Sequence, residues 1–575
     1  MKKTLFILTI LFTGLSLFSF TREKKIDLYA TTDVHGMLLP YDFAEETAMD
    51  HSMANLAGLI DSIGHQNNIL LDNGDILQGD PLVYYSNFID TLKPNVVASI
   101  LNRLGYDAAT VGNHDIETGH RVYDKARQEY KFPLLAANAV DEKTGKPYFA
   151  PYTIIKKNGL KVAIMGLITP SVPQWLPQSL YKGIRFEGMV ETAKKWMPEI
   201  KKENPDIIIG LFHSGMGNSD DVNVDENSSL AVASKVPGFD VVFLGHDHAT
   251  ANRKIVNAAG DSVLLLDGGS RSAFLMHATV RFKARGNKLV SGELIKMNTL
   301  PQGKNFSLFY KGISDSVKSY TSEVIGFSTA RADSREAFFG PSAFVDLIHD
   351  IQLSVTGARI SFAAPLSFSA SIDSGQLRVS DMFRLYRYEN FLYSVKMTGK
   401  EIDSFLEHSY ALWMNTMKDS SDLMLKYRKD ANGKVLLSNG MARLENAYYN
   451  FDSAKGLIYS VDLEKPDGNK VTIQGFSDGK QFYADSVYSV AVNSYRANGG
   501  GGHFAAAGID HASLQDRIIF ATSRDMRYYI INWIKEKDTI SPAPSAQWSV
   551  VPETWEKAAE KRERLLLFGN KRKTN

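Results

Sequence analysis

Short apolar runs recur along the first half of the chain, and each closes on a polar cluster. Ile26–Thr32 leads into Asp33-Val34-His35-Gly36, Ile69–Leu71 into Asp72-Asn73-Gly74-Asp75, and Ala108–Val111 into Gly112-Asn113-His114-Asp115. Ile207–Phe212 leads into His213, and Val241–Leu244 into Gly245-His246-Asp247-His248. Apolar runs of this length read as buried strands. Segments of helical spacing lie among them, such as Asn55–Ile63 and Val190–Lys202. From Ile26 to about Thr299 the chain therefore alternates strand and helix, which is α/β patterning.

The second half keeps an α/β pattern after a break. Around Gly303–Val324 the sequence turns polar, with Tyr310, Ile313 and Val317 at three- and four-residue spacing, which predicts a connecting helix. Beyond it, Phe344–Gln352 and Lys400–Trp413 read as helices, and Phe391–Met397 and Val487–Asn493 as strands. The last of these runs into the glycine-rich stretch Asn498–Gly502. After Pro542 and Pro544, a charged stretch from Glu553 to Arg564 reads as a helix expected to pack back onto a domain. The 575 residues exceed one ordinary core. The expected units are a first domain over 25–300, a linker helix over 303–324, a second domain over 325–538 and an extension over 539–575.

Composition removes some functions. Lys+Arg is 65 and Asp+Glu 64, a formal charge of +1. A dedicated binder of nucleic-acid polymers carries a basic surplus, so none is expected as a partner. There is no cysteine, which excludes disulfides, thiolate metal sites and a cysteine nucleophile. Lys2 and Lys3 precede the apolar stretch Leu5–Phe20, the pattern of an export signal over 1–20. The stretch is short for a membrane span. Leu17-Phe18-Ser19-Phe20 lacks the small-x-small cleavage pattern, so an uncleaved anchor is the alternative. The mature chain is expected in the periplasm or outside the cell.

The polar clusters carry the chemistry. In α/β folds, sites form where strands end, and five strand ends here deliver Asp33, His35, Asp75, Asn113, His213, His246 and His248. Residues two apart in extended backbone point the same way, so Asp33-x-His35 and His246-x-His248 each offer two ligands to one region. Carboxylate oxygen mixed with imidazole nitrogen suits Mn, Zn, Fe or Co. The two oxygens of Asp75 allow it to bridge two ions. A pair of divalent metals about 3.5–4 Å apart suits cleavage of a phosphate ester. His51, His65, His277, His349 and His408 lie outside these clusters and receive no role.

Asp33-x-His35, Gly74-Asp75, Gly112-Asn113-His114-Asp115, His213 and Gly245-His246-x-His248, in this order, resemble the calcineurin-like metallophosphoesterases. The resemblance implies a four-layer α-β-β-α sandwich. It implies one metal held by Asp33, His35, Asp75 and His248, and another by Asp75, Asn113, His213 and His246. Asn113 and His114 are then the expected catalytic residues. His114 should point away from the metals to protonate the leaving oxygen or stabilise its charge, with Glu117 holding its ring.

In the second half, Leu385-Tyr386-Arg387-Tyr388-Glu389-Asn390 and Asn493-Ser494-Tyr495-Arg496-Ala497-Asn498-Gly499-Gly500 resemble the C-terminal domain of exported 5′-nucleotidases and 2′,3′-cyclic-nucleotide phosphodiesterases. From residue type alone these tyrosines would be core, among 25 Tyr and 31 Phe. The resemblance implies instead that Tyr388 and Tyr495 sandwich a base, with Asn390 nearby. Stacking is worth about 1–3 kcal/mol per base. The Leu-Tyr-x-Tyr-x-Asn form is closer to the cyclic phosphodiesterase/3′-nucleotidase branch. The Gly-Gly-Ile-Arg segment usual in the 5′-nucleotidase branch is absent; the comparable stretch is Ile360–Ser367. The expected function is hydrolysis of 2′,3′-cyclic and 3′-nucleotides, with 5′-nucleotides also considered. A 5′-nucleotidase/UDP-sugar hydrolase and a non-catalytic nucleotide-binding envelope protein are the alternatives.

Overall fold

A computed structural model describes residues 24–219, 226–282, 287–438 and 440–569. The proposed export signal lies outside the described residues. Two six-stranded sheets dominate the first half. One runs Lys288–Lys296, Phe274–Phe282, Lys25–Thr31, Asn68–Asp72, Ala108–Thr110 and Leu134–Leu135. The other runs Thr250–Val256, Ser262–Gly268, Val241–Leu244, Ile207–His213, Leu160–Ile168 and Tyr152–Lys157. In the first sheet the four strands from Lys25–Thr31 to Leu134–Leu135 are parallel, and Phe274–Phe282 and Lys288–Lys296 add to them antiparallel. In the second the inner neighbours are parallel and the two outer strands antiparallel.

The sheets face each other across Leu28, Ile69, Ile164, Ile209, Phe243 and Leu266. Strands buried on both faces need continuous apolar sequence. That is why Asn68–Asp72 and Ile207–His213 are buried at every position. Burying each such Ile or Leu side chain contributes roughly 1.5–3 kcal/mol. Helices cover the outer faces. Met53–Ile63 starts at Ser52, whose hydroxyl accepts the N–H of Ala54 at 3.1 Å, and buries Met53, Leu56 and Ile60. Met189–Lys202 buries Val190, Ala193, Met197 and Ile200 against the second sheet. The layers are α-β-β-α.

The connecting stretch is shorter in helix than its sequence predicts. It forms Phe306–Phe309 and Lys311–Thr321, and Val324 already begins a strand. Tyr310 interrupts the two helices, with φ −96° and ψ 11°. The apolar spacing holds nonetheless: Tyr310 and Val317 are buried against the first domain's helical layer.

The second half centres on a five-stranded sheet of Ser453–Lys455, Ile360–Ala363, Val487–Asn493, Leu392–Thr398 and Ile518–Ala521. The Gly399–Trp413 helix is capped by Thr398 and Glu401 and buries Phe405, Leu406 and Trp413. The extension joins this half. Trp548–Val551 pairs in parallel with Leu457–Asp462. The helix Glu553–Phe568 buries Glu563, whose carboxylate accepts the N–H groups of Met424 and Leu425 at 2.7 and 3.0 Å.

Candidate metal centre and nucleotide cavity

The strand ends meet at one edge of the facing sheets. Backbone bonds lock them together: Asp33 N–H donates to Gly74 O at 3.0 Å, and His35 N–H to Asp75 O at 2.9 Å. The N–H of His246 donates to Asp33 Oδ2 at 3.0 Å. Five side chains of the cluster sit on left-handed backbone: Asp33 and His35 at φ 48°, Asp75 at 57°, His246 at 81° and His248 at 56°. Such conformations cost non-glycine residues about 1–3 kcal/mol each and persist where the surroundings over-determine them.

The buried His213 and His35 and the half-buried His246 are each oriented by an outer nitrogen. His213 Nδ1 donates to the carbonyl of Asn73 at 2.7 Å, His35 Nδ1 to Gln78 Oε1 at 3.2 Å, and His246 Nε2 to Glu226 Oε1 at 2.9 Å. The remaining nitrogens face one another or other acceptors. His35 Nε2 and His248 Nε2 lie 3.0 Å apart. Asn113 Oδ1 lies 2.7 Å from His246 Nδ1 and 3.0 Å from His213 Nε2, which is 3.1 Å from Asp75 Oδ2. That Asp75 oxygen is buried and accepts no hydrogen bond. Converging lone pairs and an orphaned buried carboxylate oxygen are what a cation satisfies. Two clusters have suitable ligand atoms, Asp33/His35/His248 and Asp75/His213/His246. The structure brings all seven sequence-predicted ligands to this place.

The electrostatics agree with that reading. Burial pushes His35 down to about 3, so its ring is neutral. Burial acts the same way on His213, but the Asp75 carboxylate overrides it and raises the pKa to about 10. A cation entering there exchanges with that proton.

Sequence reasoning missed the residue that shapes the Asp75 loop. Asp115 accepts from the N–H groups of Gly112, Asp75, Ile76 and Leu77 at 2.8–3.0 Å. It is buried, and burial lifts its pKa to about 6. Glu226 was also missed. Asp115 stands in the cluster after Ala108–Val111, but its support of the loop runs through backbone N–H groups, and Glu226 follows no apolar run.

His114 lies beside the cluster. Its backbone N–H donates to Asp75 Oδ1 at 2.7 Å, and its Nδ1 lies 2.6 Å from Glu117 Oε2. The ring borders a cavity of about 520 Å³. Trp175, Glu226 and His246 close that cavity on the metal side, and Tyr388, Tyr449 and Tyr495 on the other. Tyr388 and Tyr495 are half-buried. Tyr449, which sequence reasoning did not single out, packs edge-on to both, at 6.2 and 6.0 Å between ring centres. Asn390 lines the same cavity, and its amide donates to Tyr386 Oη at 3.3 Å. A second cavity of about 530 Å³ borders His35, His114 and His248 and carries Arg271, Arg384 and Arg387.

Residues 26–250 match the family model for calcineurin-like phosphoesterases, and residues 322–508 match that for the 5′-nucleotidase C-terminal domain. The chain belongs to the calcineurin-like phosphoesterases that carry a 5′-nucleotidase C-terminal domain. This phosphoesterase is similar to the 2′,3′-cyclic-nucleotide 2′-phosphodiesterase/3′-nucleotidase of Salmonella typhimurium, with 27% identity over 91% of the chain and 88% of that protein. It is 26% identical to the trifunctional nucleotide phosphoesterase protein YfkN of Bacillus subtilis over 92% of the chain, but spans only 39% of that relative. Two solved structures share the fold. A Staphylococcus aureus protein assigned as a 5′-nucleotidase, crystallised with α-ketoglutarate, superposes with a TM-score of 0.75 at 20% identity, over 92% of this chain and 99% of that one. The 5′-nucleotidase precursor of Thermus thermophilus gives 0.63 at 22% identity, over 92% and 100%. The phosphoesterase is a hydrolase, and among its described residues no helix is long and apolar enough to cross a membrane.

Proposed function

We propose that the chain is an exported dinuclear-metal phosphoesterase that strips phosphate from nucleotides, taking 2′,3′-cyclic and 3′-nucleotides. One observation carries this reading: ligand candidates Asn113, His246 and His248 line the same cavity as Tyr388 and Tyr495. A phosphate at the cluster and a base among the tyrosines belong to one small molecule. A protein that only bound nucleotides would need neither the full ligand set nor His114. The export part rests on Lys2, Lys3 and Leu5–Phe20 of the sequence.

Asp33, His35, Asp75 and His248 would hold one cation, and Asp75, Asn113, His213 and His246 the other. The mixed oxygen and nitrogen donors fit Mn, Zn, Co or Fe. When bound, such a pair supplies Lewis acidity that polarises the phosphoryl group and makes water a competent nucleophile near neutral pH. The residues of the chain do the rest. Glu117 fixes the His114 ring through Nδ1 and leaves Nε2 to give a proton to the leaving ribose oxygen. Tyr388 and Tyr495 grip the base from its faces, Tyr449 closes the slot edge-on, and Trp175 walls the metal side.

The arginines of the second cavity favour a second reading, cleavage of a phosphoanhydride such as that of a UDP-sugar, whose distal phosphate would lie near them. Phosphate release from 2′,3′-cyclic, 3′- and 5′-nucleotides and a UDP-sugar, with Mn, Co or Zn added, separates the two. Absence of metal-dependent release from every nucleotide would overturn the proposal.

A further inference from the structure

We propose that Arg527 is a positioning residue for the nucleotide base, fixing the Tyr388 segment against the metal half of the molecule; this rests on the nucleotide reading above. Tyr388 lies between the helix Val379–Leu385 and the strand Leu392–Thr398, on backbone without regular structure. Such a segment needs partners from outside itself. The helix Met526–Lys537 supplies them. Arg527 Nη1 donates to the carbonyl of Arg387 at 3.2 Å, and Nη2 to Glu389 Oε1 at 2.7 Å. The N–H of Met526 donates to the carbonyl of Asn390 at 2.8 Å. These bonds bracket Tyr388 on both sides.

The same arginine reaches the metal half. Asp525 caps its helix by accepting the N–H of Arg527 at 3.0 Å, and its Oδ2 accepts Tyr84 Oη at 3.1 Å. The guanidinium lies 4.8 Å from the Tyr84 ring centre and 4.5 Å from that of Phe383. Tyr84 ends the helix Pro81–Tyr84, capped by Asp80, whose N–H donates to the carbonyl of His35 at 3.1 Å. A continuous chain of contacts thus runs from ligand candidate His35 through Tyr84 and Arg527 to the backbone flanking Tyr388. Arg527 and Glu389 are both buried, so neither belongs to a surface pair of little consequence. Only a planar fork donates in two directions while lying on aromatic faces, which a lysine cannot reproduce.

Full-length R527M and R527K, first checked by melting curves, test this on the wild type's best nucleotide and on p-nitrophenyl phosphate. In R527M the nucleotide KM should rise about tenfold, the size of a lost stacking contact, with kcat and the aryl phosphate KM held. R527K should fall between, and Y84F, which removes one hydroxyl, should raise the nucleotide KM by less. An unchanged nucleotide KM in folded R527M overturns the proposal, as it does in R527K should R527M not fold. An equal loss on both substrates also overturns it, because that is the signature of a merely structural pair. A wild type that cleaves the aryl phosphate but no nucleotide would instead overturn the nucleotide reading.

Discussion

His114 Nδ1 lies 2.6 Å from Glu117 Oε2, within the short helix Asn113–Glu117. Burial works to keep the ring neutral, but Asp75 and then Glu117 raise its pKa to about 9. In the metal-free site the ring is therefore protonated at neutral pH, the form a general acid needs, and Glu117 still favours that proton once Asp75 holds cations. Activity that depends on this proton falls as pH rises through the His114 pKa, which cations held by Asp75 bring below the metal-free value of about 9. His114→Asn should lower kcat by about 10²–10⁴-fold, erase that alkaline limb, and leave bound metal unchanged. Glu117→Gln should cost about 10–100-fold, the usual penalty for losing an orienting partner, and move the limb to lower pH. Profiles of rate against pH, with parallel metal analysis, check both; an alkaline limb that survives in His114→Asn assigns it elsewhere.

Asp75 divides its two oxygens between different tasks. Oδ1 accepts the N–H of His114, while Oδ2 is buried with no hydrogen bond and 3.1 Å from His213 Nε2. Asp75→Asn keeps the shape but loses the charge and puts either an N–H₂ group or a neutral oxygen toward the cluster. Metal affinity should drop by about 100-fold or more. Chelation of the wild type should abolish turnover, and Mn, Co or Zn should restore it. Metal stoichiometry after dialysis checks the variant; full occupancy in Asp75→Asn would remove the bridging role.

The tyrosine slot makes a separable prediction. Tyr449 touches both Tyr388 and Tyr495 edge-on, and Arg496 Nη2 donates to the Tyr449 carbonyl at 3.0 Å. Tyr388→Ala and Tyr495→Ala should each raise the nucleotide KM by about 5–150-fold, the equivalent of 1–3 kcal/mol of stacking. Tyr449→Ala should raise it less, since an edge contributes less face to a base. Steady-state kinetics on one nucleotide ranks the three; a Tyr449→Ala effect larger than that of Tyr388→Ala would make Tyr449 a direct stacking partner.

The ligand cluster was legible in the sequence because fully buried strands must be written as unbroken apolar runs. The switch from Leu244 to Gly245-His246 is as sharp in the text as in the fold. Asp115 was not legible as a support. It works by accepting backbone N–H groups of the Asp75 loop, and backbone contacts leave no mark in side-chain spacing. Tyr449 and Glu226 come from irregular segments, where no periodicity ties them to the site. The left-handed backbone at Asp33, His35 and His248 was invisible too, since no glycine stands there to announce it. The linker helix was overextended because its polar text suits helix at every position, while the strand pairing of Val324 with Arg378 ended it.

Two glycines offer the strictest test of how closely the cluster is packed. A Cβ on Gly112 would collide with Asp75 Oδ1 and lie 2.5 Å from the Asp75 nitrogen. A Cβ on Gly245 would collide with Thr32 Oγ1 and lie 2.5 Å from Asp33 Oδ2. Neither has positive φ, so the obstacle is contact alone and not backbone conformation. The neighbours cannot yield: Asp75 is pinned through its own N–H to Asp115, and Asp33 by the N–H of His246. G112A and G245A should therefore displace a carboxylate from the cluster and lose most of their metal and activity, with melting temperatures lowered. G312A makes the control. A Cβ there meets nothing within 4 Å, and the position is helical, so stability should rise by about 0.5–1 kcal/mol. Metal analysis and thermal melting of the three variants decide the matter. Full metal content in G245A would mean that Asp33 can shift without loss, and the case for a rigid, preformed cluster would fail at that residue.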